Sequence, residues 1–173
     1  MQNIFIGLAL ILFNADAAFS KTIINIFPSF AGYFLLYRGL TALDGKSAHF
    51  SAIKPFCTLL TIYELAVWTI DVLAIRNNAA AIFAELISSA GVIYVTYHIT
   101  RGIGDIQKKT SVELGYGKLC DYWKYSVTIS SIFNLLSLVF VRVSLILTII
   151  SLISGMFFLS AFYKTKKHYY DNL

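Results

Sequence analysis

Long apolar runs alternate with short polar breaks along nearly the whole chain. A helix that crosses a bilayer needs about 20 mainly apolar residues. Six segments approach that length: residues 4–19, 23–43, 55–75, 79–99, 122–141 and 143–163. The pattern predicts an all-α fold, a polytopic transmembrane helical bundle of six spans, forming one integral membrane domain over residues 1–173. The first two segments are expected to form a short or bent hairpin. The first run ends at Asn14 and Asp16, and the second contains Pro28, which a helix tolerates as its first residue because the N–H it lacks has no partner there. A five-span alternative arises from Ala15-Asp16-Ala17, which has the form of a secretion-signal cleavage site. Met1-Gln2-Asn3 lacks the Lys or Arg of a signal's leading region, so the segment is expected to be retained.

Composition strengthens the membrane reading. Of 173 residues, 58% are hydrophobic and 13% charged, where soluble domains run nearer half and a quarter; mean hydropathy is +0.72. The net charge of +5 argues little for nucleic acid, because Lys and Arg form no dense run that tracks a phosphate backbone. They punctuate the apolar segments, as expected for setting orientation and meeting anionic membrane lipids. With six spans and an inside N-terminus, one side holds Arg38, Lys46, Lys54, Arg101, Lys108, Lys109, Lys118, Lys124, Lys164, Lys166 and Lys167, and the other Lys21, Arg76 and Arg142. That asymmetry predicts a multi-pass plasma-membrane protein with both termini cytoplasmic. Cys57 and Cys120 are too few for a disulfide framework. With His49, His98 and His168 they have no zinc-motif spacing, so no cofactor or metal is expected.

The even-numbered segments look alike. Ala31-Gly32, Ala90-Gly91 and Ser154-Gly155 each precede aromatics and then a basic residue, Arg38, Arg101 or Lys164. Three related helical hairpins are one reading; close helix approach at glycine, aromatic belts and basic caps are the other. The stripes Ser144, Thr148, Ser151, Gly155 and Ala80, Ala84, Ser88, Gly91 read as packing seams. The segment 102–121 places Val112, Leu114, Tyr116 and Leu119 among charged residues. It reads as an interfacial segment or a solvated loop, and as the expected meeting place for a protein partner. Oligomer formation stays open.

Ionisable residues at membrane depth are costly and point to function. Thr61, Glu64, Trp68 and Asp71 recur at helical spacing on one face, and Glu85 lies in the next segment. Counted from a turn at Asn78, Asp71 and Glu85 are expected at one depth, where two facing carboxyls would hold a proton or a cation. Glu64, Trp68, Asp71, Glu85 and Asn134 are therefore the candidate ligand- or ion-binding residues. The structural alternative pairs Asp71 and Glu85 with Arg76 or Arg142 near the outer interface, and makes Asn134 an interhelical hydrogen bonder.

The stretch Ile24-Asn25-Ile26-Phe27-Pro28-Ser29-Phe30-Ala31-Gly32-Tyr33, continued by Gly39-Leu40 and Leu43, resembles the opening of a group of small multi-spanning membrane proteins of Firmicutes. Their pattern is like INxLPDFIGYxLIxxGL. Arg101-Gly102-Ile103-Gly104-Asp105-Ile106, followed by Leu119 and Trp123, resembles that group's second landmark. Ser29 stands where the group has an acid, so a role for that acid does not carry over. The resemblance implies a Gram-positive plasma membrane and no known activity.

Three functional classes follow. The first is small-solute or cation binding and transport within the bundle, alone or as a subunit of a larger transporter; the layout resembles the substrate-binding subunits of energy-coupling-factor vitamin transporters. The second is a non-catalytic accessory or regulatory subunit of a membrane complex. The third is an intramembrane enzyme. His49 and Cys57 resemble the His–Cys pair of quorum-sensing peptide-processing proteases, but without that family's spacing or context.

Overall fold

The computed structural model describes residues 1–13, 16–19, 22–25, 28–73, 78–137 and 144–172. They form α1 (Gln2–Leu12), β1 (Asp16–Phe19), β2 (Thr22–Asn25), α2 (Ser29–Thr41), α3 (Ala48–Val72), α4 (Asn78–Thr110), α5 (Tyr116–Ser137) and α6 (Ser144–Asn172). The helical class holds, with one extended exception. Asp16 pairs with Asn25 and Phe19 with Thr22 in an antiparallel hairpin, so neither residues 4–19 nor 23–43 form one continuous helix. The cause is local. Polar residues interrupt the apolar run, Thr22, Ile23 and Ile24 are β-branched and fit an extended pleat, and Pro28 disfavours helix just before it.

Helix ends also differ from the apolar windows, because a helix continues through polar residues once past the apolar stretch. The third helix starts at Ala48, seven residues before the expected 55. Its N-cap is Ser47, whose hydroxyl accepts from the His49 N–H at 3.1 Å. The expected segment 102–121 is helical up to Thr110 and again from Tyr116, which leaves only residues 111–115 as a link. The Gln107 side-chain oxygen accepts from the N–H groups of Leu114 and Tyr116 at 3.0 and 3.1 Å. Leu114 and Leu119 are buried in the core. Most of this segment is therefore folded onto the bundle. The turns around Arg76 and Arg142 lie outside the described residues.

Each helix packs on its chain neighbours, and α6 closes against α1, so the six form a ring in sequence order. At the α1–α2 crossing backbone lies against backbone. A β-carbon at Gly7 would lie 2.7 Å from the carbonyl oxygen of Gly32, and one at Gly39 would lie 2.9 Å from the backbone nitrogen of Ile4. Two of the three small-Gly positions face the preceding helix: Gly32 meets Gly7 and Ile11, and Gly91 meets Leu60. Gly155 instead has Leu12 of α1 nearest.

Long-range contacts tie the basic segments together at one end. Lys166 donates to the Gln2 side chain at 2.7 Å, Lys109 donates to the Lys46 carbonyl at 3.0 Å, and the Lys46 ammonium sits 5.6 Å from the centre of the Tyr169 ring. Among the described residues, Ala48–Val72 and Ala80–Thr110 are long and apolar enough to cross a bilayer. That is fewer than the six spans expected. Gln2–Leu12 is apolar but shorter; its 11 residues reach only about 16 Å at 1.5 Å per residue, against a hydrocarbon core of about 30 Å.

Candidate functional site

Two polar sites emerge, one expected and one not. The expected acidic face of α3 turns toward α2. Glu64 is buried at 9% exposure, and Tyr33 of α2, wholly buried, lies within electrostatic reach of it and of Cys57. One turn further along α3, Trp68 meets the edge of Phe30 at 5.8 Å between ring centres. The Tyr33 hydroxyl and the Trp68 indole N–H are both buried without a hydrogen-bond partner, and such orphaned groups are few in native proteins. Thr61 does not add to the site, because its hydroxyl donates back to the Cys57 carbonyl at 2.7 Å.

The second acidic position falls elsewhere. Leu60 packs under Gly91, and the Phe56 and Tyr94 rings are centred 4.8 Å apart. This register sets Glu85 level with about Ala66, so Asp71 lies about 7.5 Å further along the axis. The two carboxyls are therefore not opposed at one depth, as a turn centred on Asn78 implied. Asp71 is half-buried, whereas Glu85 is exposed on the outer face of α4. Asn134 falls within α5, and its side chain lies outside the described residues.

The unexpected site is at the basic end. His49, Tyr97, Arg101, Gly104, Asp105, Lys108 and Tyr116 line a cavity of about 270 Å³. The Nδ1 atoms of His49 and His98 are 3.0 Å apart, so one ring donates and the other accepts. Ser47 donates to the Asp105 carboxylate. Arg101 donates to the Tyr116 hydroxyl at 3.1 Å and stacks over the Tyr97 ring at 5.3 Å. Among the described residues, no group of three or more His, Cys, Asp or Glu side chains is placed to hold a metal ion. His49 thus pairs with His98. Cys57 is buried eight residues further along α3, about 12 Å away along the axis, so the two do not form a nucleophile–base pair. One face of this pocket was readable from Arg101, Gly104, Asp105 and Lys108 at helical spacing. Its closure by His49 and Tyr116 depends on how three helices pack.

The adjoining α2–α3 turn carries its own staple. Asp44 accepts from Lys54 at 2.7 Å, from Ser51 at 3.0 Å and from the Gly45 N–H at 3.2 Å. The hydrogen bonds from Lys54, and then from Ser51, hold the Asp44 carboxyl below the usual carboxylate range. A depressed folded value means the stabilisation is present above the unfolded value of about 3.9. It is lost as pH falls through the lower folded value. The stability difference between wild type and Asp44→Asn is therefore expected at neutral pH and should close in acid below about pH 4. A difference that persists unchanged at low pH would rule out the charged staple. Because Asp44 is exposed, added salt should shrink the difference too.

Comparison of the chain with protein-family models, with curated proteins and with solved structures finds no match.

Proposed function

We propose that this chain is a multi-pass plasma-membrane protein, with both termini cytoplasmic, whose helical bundle binds and moves a small cationic solute or a proton at Glu64. It acts alone or as a subunit of a larger transporter. Membrane residence is supported by the outward faces. Leu59, Ile62 and Phe83 are 62%, 64% and 68% exposed, and Ile149, Ile153, Met156 and Phe157 are likewise exposed on α6. Soluble monomers rarely expose contiguous apolar surface on this scale, whereas lipid covers it at no cost. The gathering of basic residues at one end supports that end as the cytoplasmic one.

The observation that carries the binding reading is the buried Glu64 carboxyl beside two buried donors that lack partners. A carboxylate at membrane depth is tolerated when a proton or a cation neutralises it. The rings of Phe30, Tyr33 and Trp68 along the same seam suit an organic cation, and a small polar solute or its water would satisfy the two orphaned donors.

The test is flux in liposomes containing the purified chain, followed with a pH-sensitive dye and with small organic cations. Glu64→Gln keeps the shape and removes the charge, and is expected to lower flux at least about tenfold, equivalent to about 1.4 kcal/mol of lost binding, with normal insertion. Tyr33→Phe gives a second readout. In a dry seam, removing the orphaned hydroxyl relieves a cost of about 1–3 kcal/mol and raises stability; in a solute site it weakens binding instead. Wild-type chain that moves neither protons nor cations, yet co-purifies with a stoichiometric partner, would replace this reading with the accessory one.

A further inference from the structure

We propose that the polar pocket at the basic end binds a phosphoryl group, carried by an anionic lipid headgroup or by a small soluble phosphate. Arg101 and Asp105 form no ion pair. Asp105 follows Arg101 by four residues on α4, the spacing at which opposite charges meet on a helix. Asp105 instead takes the Ser47 hydroxyl, and Arg101 is held by the Tyr116 hydroxyl and the Tyr97 ring. Both groups that hold Arg101 are uncharged, so the guanidinium is oriented without being neutralised. Lys108, seven residues beyond Arg101 on the same helix, is exposed. Among the described residues, neither Arg101 nor Lys108 forms an ion pair.

Gly104 makes the arrangement possible. A β-carbon there would come within 2.8 Å of the Tyr116 ring, so only glycine lets that ring lie against α4 and present its hydroxyl to Arg101. The lining then holds two cations against one carboxylate, with His49 and two phenols as further polar groups. A fixed planar fork beside a mobile ammonium suits a tetrahedral oxyanion. The setting also fits a lipid source, because basic pockets between helices on the cytoplasmic side bind anionic headgroups. The site shares no residue with the Glu64 seam, so the two proposals fail separately.

The experiment uses the full chain in detergent, with binding measured against phosphatidic acid and, separately, inorganic phosphate, and with phosphatidylcholine as the blank. Saturable binding is expected, weakened about tenfold or more in the double variant Arg101→Gln, Lys108→Gln. Lys167→Gln, at an exposed lysine of α6 that does not line the pocket, is expected to change binding by less than about twofold. Phosphatidic acid binding without phosphate binding assigns the lipid source; binding of phosphate alone assigns the soluble one. The proposal is overturned if neither binds, if the double variant binds as tightly as wild type, or if Lys167→Gln weakens binding as much. Should the double variant lose helical content, Lys108→Gln and Tyr116→Phe carry the same test. Lys108 is fully outside the core, and Tyr116→Phe removes only the hydroxyl that holds Arg101.

Discussion

Replacing Gly7 with alanine is expected to loosen the α1–α2 crossing and destabilise the chain by roughly 1–3 kcal/mol. For a chain of this size that is about 2–4 °C of melting temperature per kcal/mol. The added methyl would lie 2.7 Å from the Gly32 carbonyl oxygen and 3.0 Å from two carbons of Leu36. A rotamer change frees Leu36, but the carbonyl belongs to the backbone of α2 and cannot turn aside, so the helices must separate. Gly39→Ala meets the same difficulty, 2.9 Å from the Ile4 backbone nitrogen. At Gly91 the nearest atom is the flexible end of Leu60 at 2.8 Å, and a milder cost is expected. Gly117 has nothing within 4 Å and lies in α5, so alanine there is expected to stabilise by about 0.5–1 kcal/mol through helix propensity. Thermal melts of the four variants in one detergent test the ordering. A Gly117→Ala loss equal to that of Gly7→Ala would sink the close-crossing account.

These glycines show what the sequence makes legible and what it does not. That Gly32 precedes aromatics and Arg38 is visible in one dimension. That its partner is Gly7, across a connection containing a β-hairpin, is a fact of packing. The apolar windows of α3 and α4 were readable because periodicity and length belong to single segments. Their ends were not, since Ser47, Lys108 and Lys109 continue helices for reasons of capping and solvation rather than hydropathy. The acidic face of α3 was readable at helical spacing, and Glu64 is buried as its central position implied. The register across α3 and α4 is not legible in the sequence, because Asn78 begins α4 and packing sets which residues face each other. With Leu60 under Gly91, Glu85 lies at a different depth from Asp71 and is exposed on α4. The pocket around Arg101 was half legible: one helix supplies a visible stripe, but His49 joins it from the helix before and Tyr116 from the helix after, through packing that spacing on one helix does not show.

A lysine at Ile62 separates the membrane reading from its alternative by the direction of the effect. Ile62 lies near the middle of α3 and is exposed on the outer face of the bundle. If water covered that face, Ile62→Lys would change stability by less than about 0.5 kcal/mol, as surface substitutions usually do, and would improve solubility. If lipid covers it, a charge near the bilayer centre costs about 2.5–3.5 kcal/mol on insertion scales, or about two orders of magnitude in the partition at 1.4 kcal/mol per tenfold. The expected outcome is therefore loss of the chain from the membrane fraction, with degradation or aggregation in its place. Ala42→Lys, on the exposed turn after α2 at the basic end, adds the same charge where water is available and should leave membrane yield unchanged. Quantifying membrane-fraction yield for both variants against wild type decides the matter. Normal yield of Ile62→Lys in the soluble fraction would remove the lipid belt, and with it the membrane-depth argument for Glu64. The phosphoryl pocket would survive as a soluble site, because its lining depends only on the packing of α3, α4 and α5.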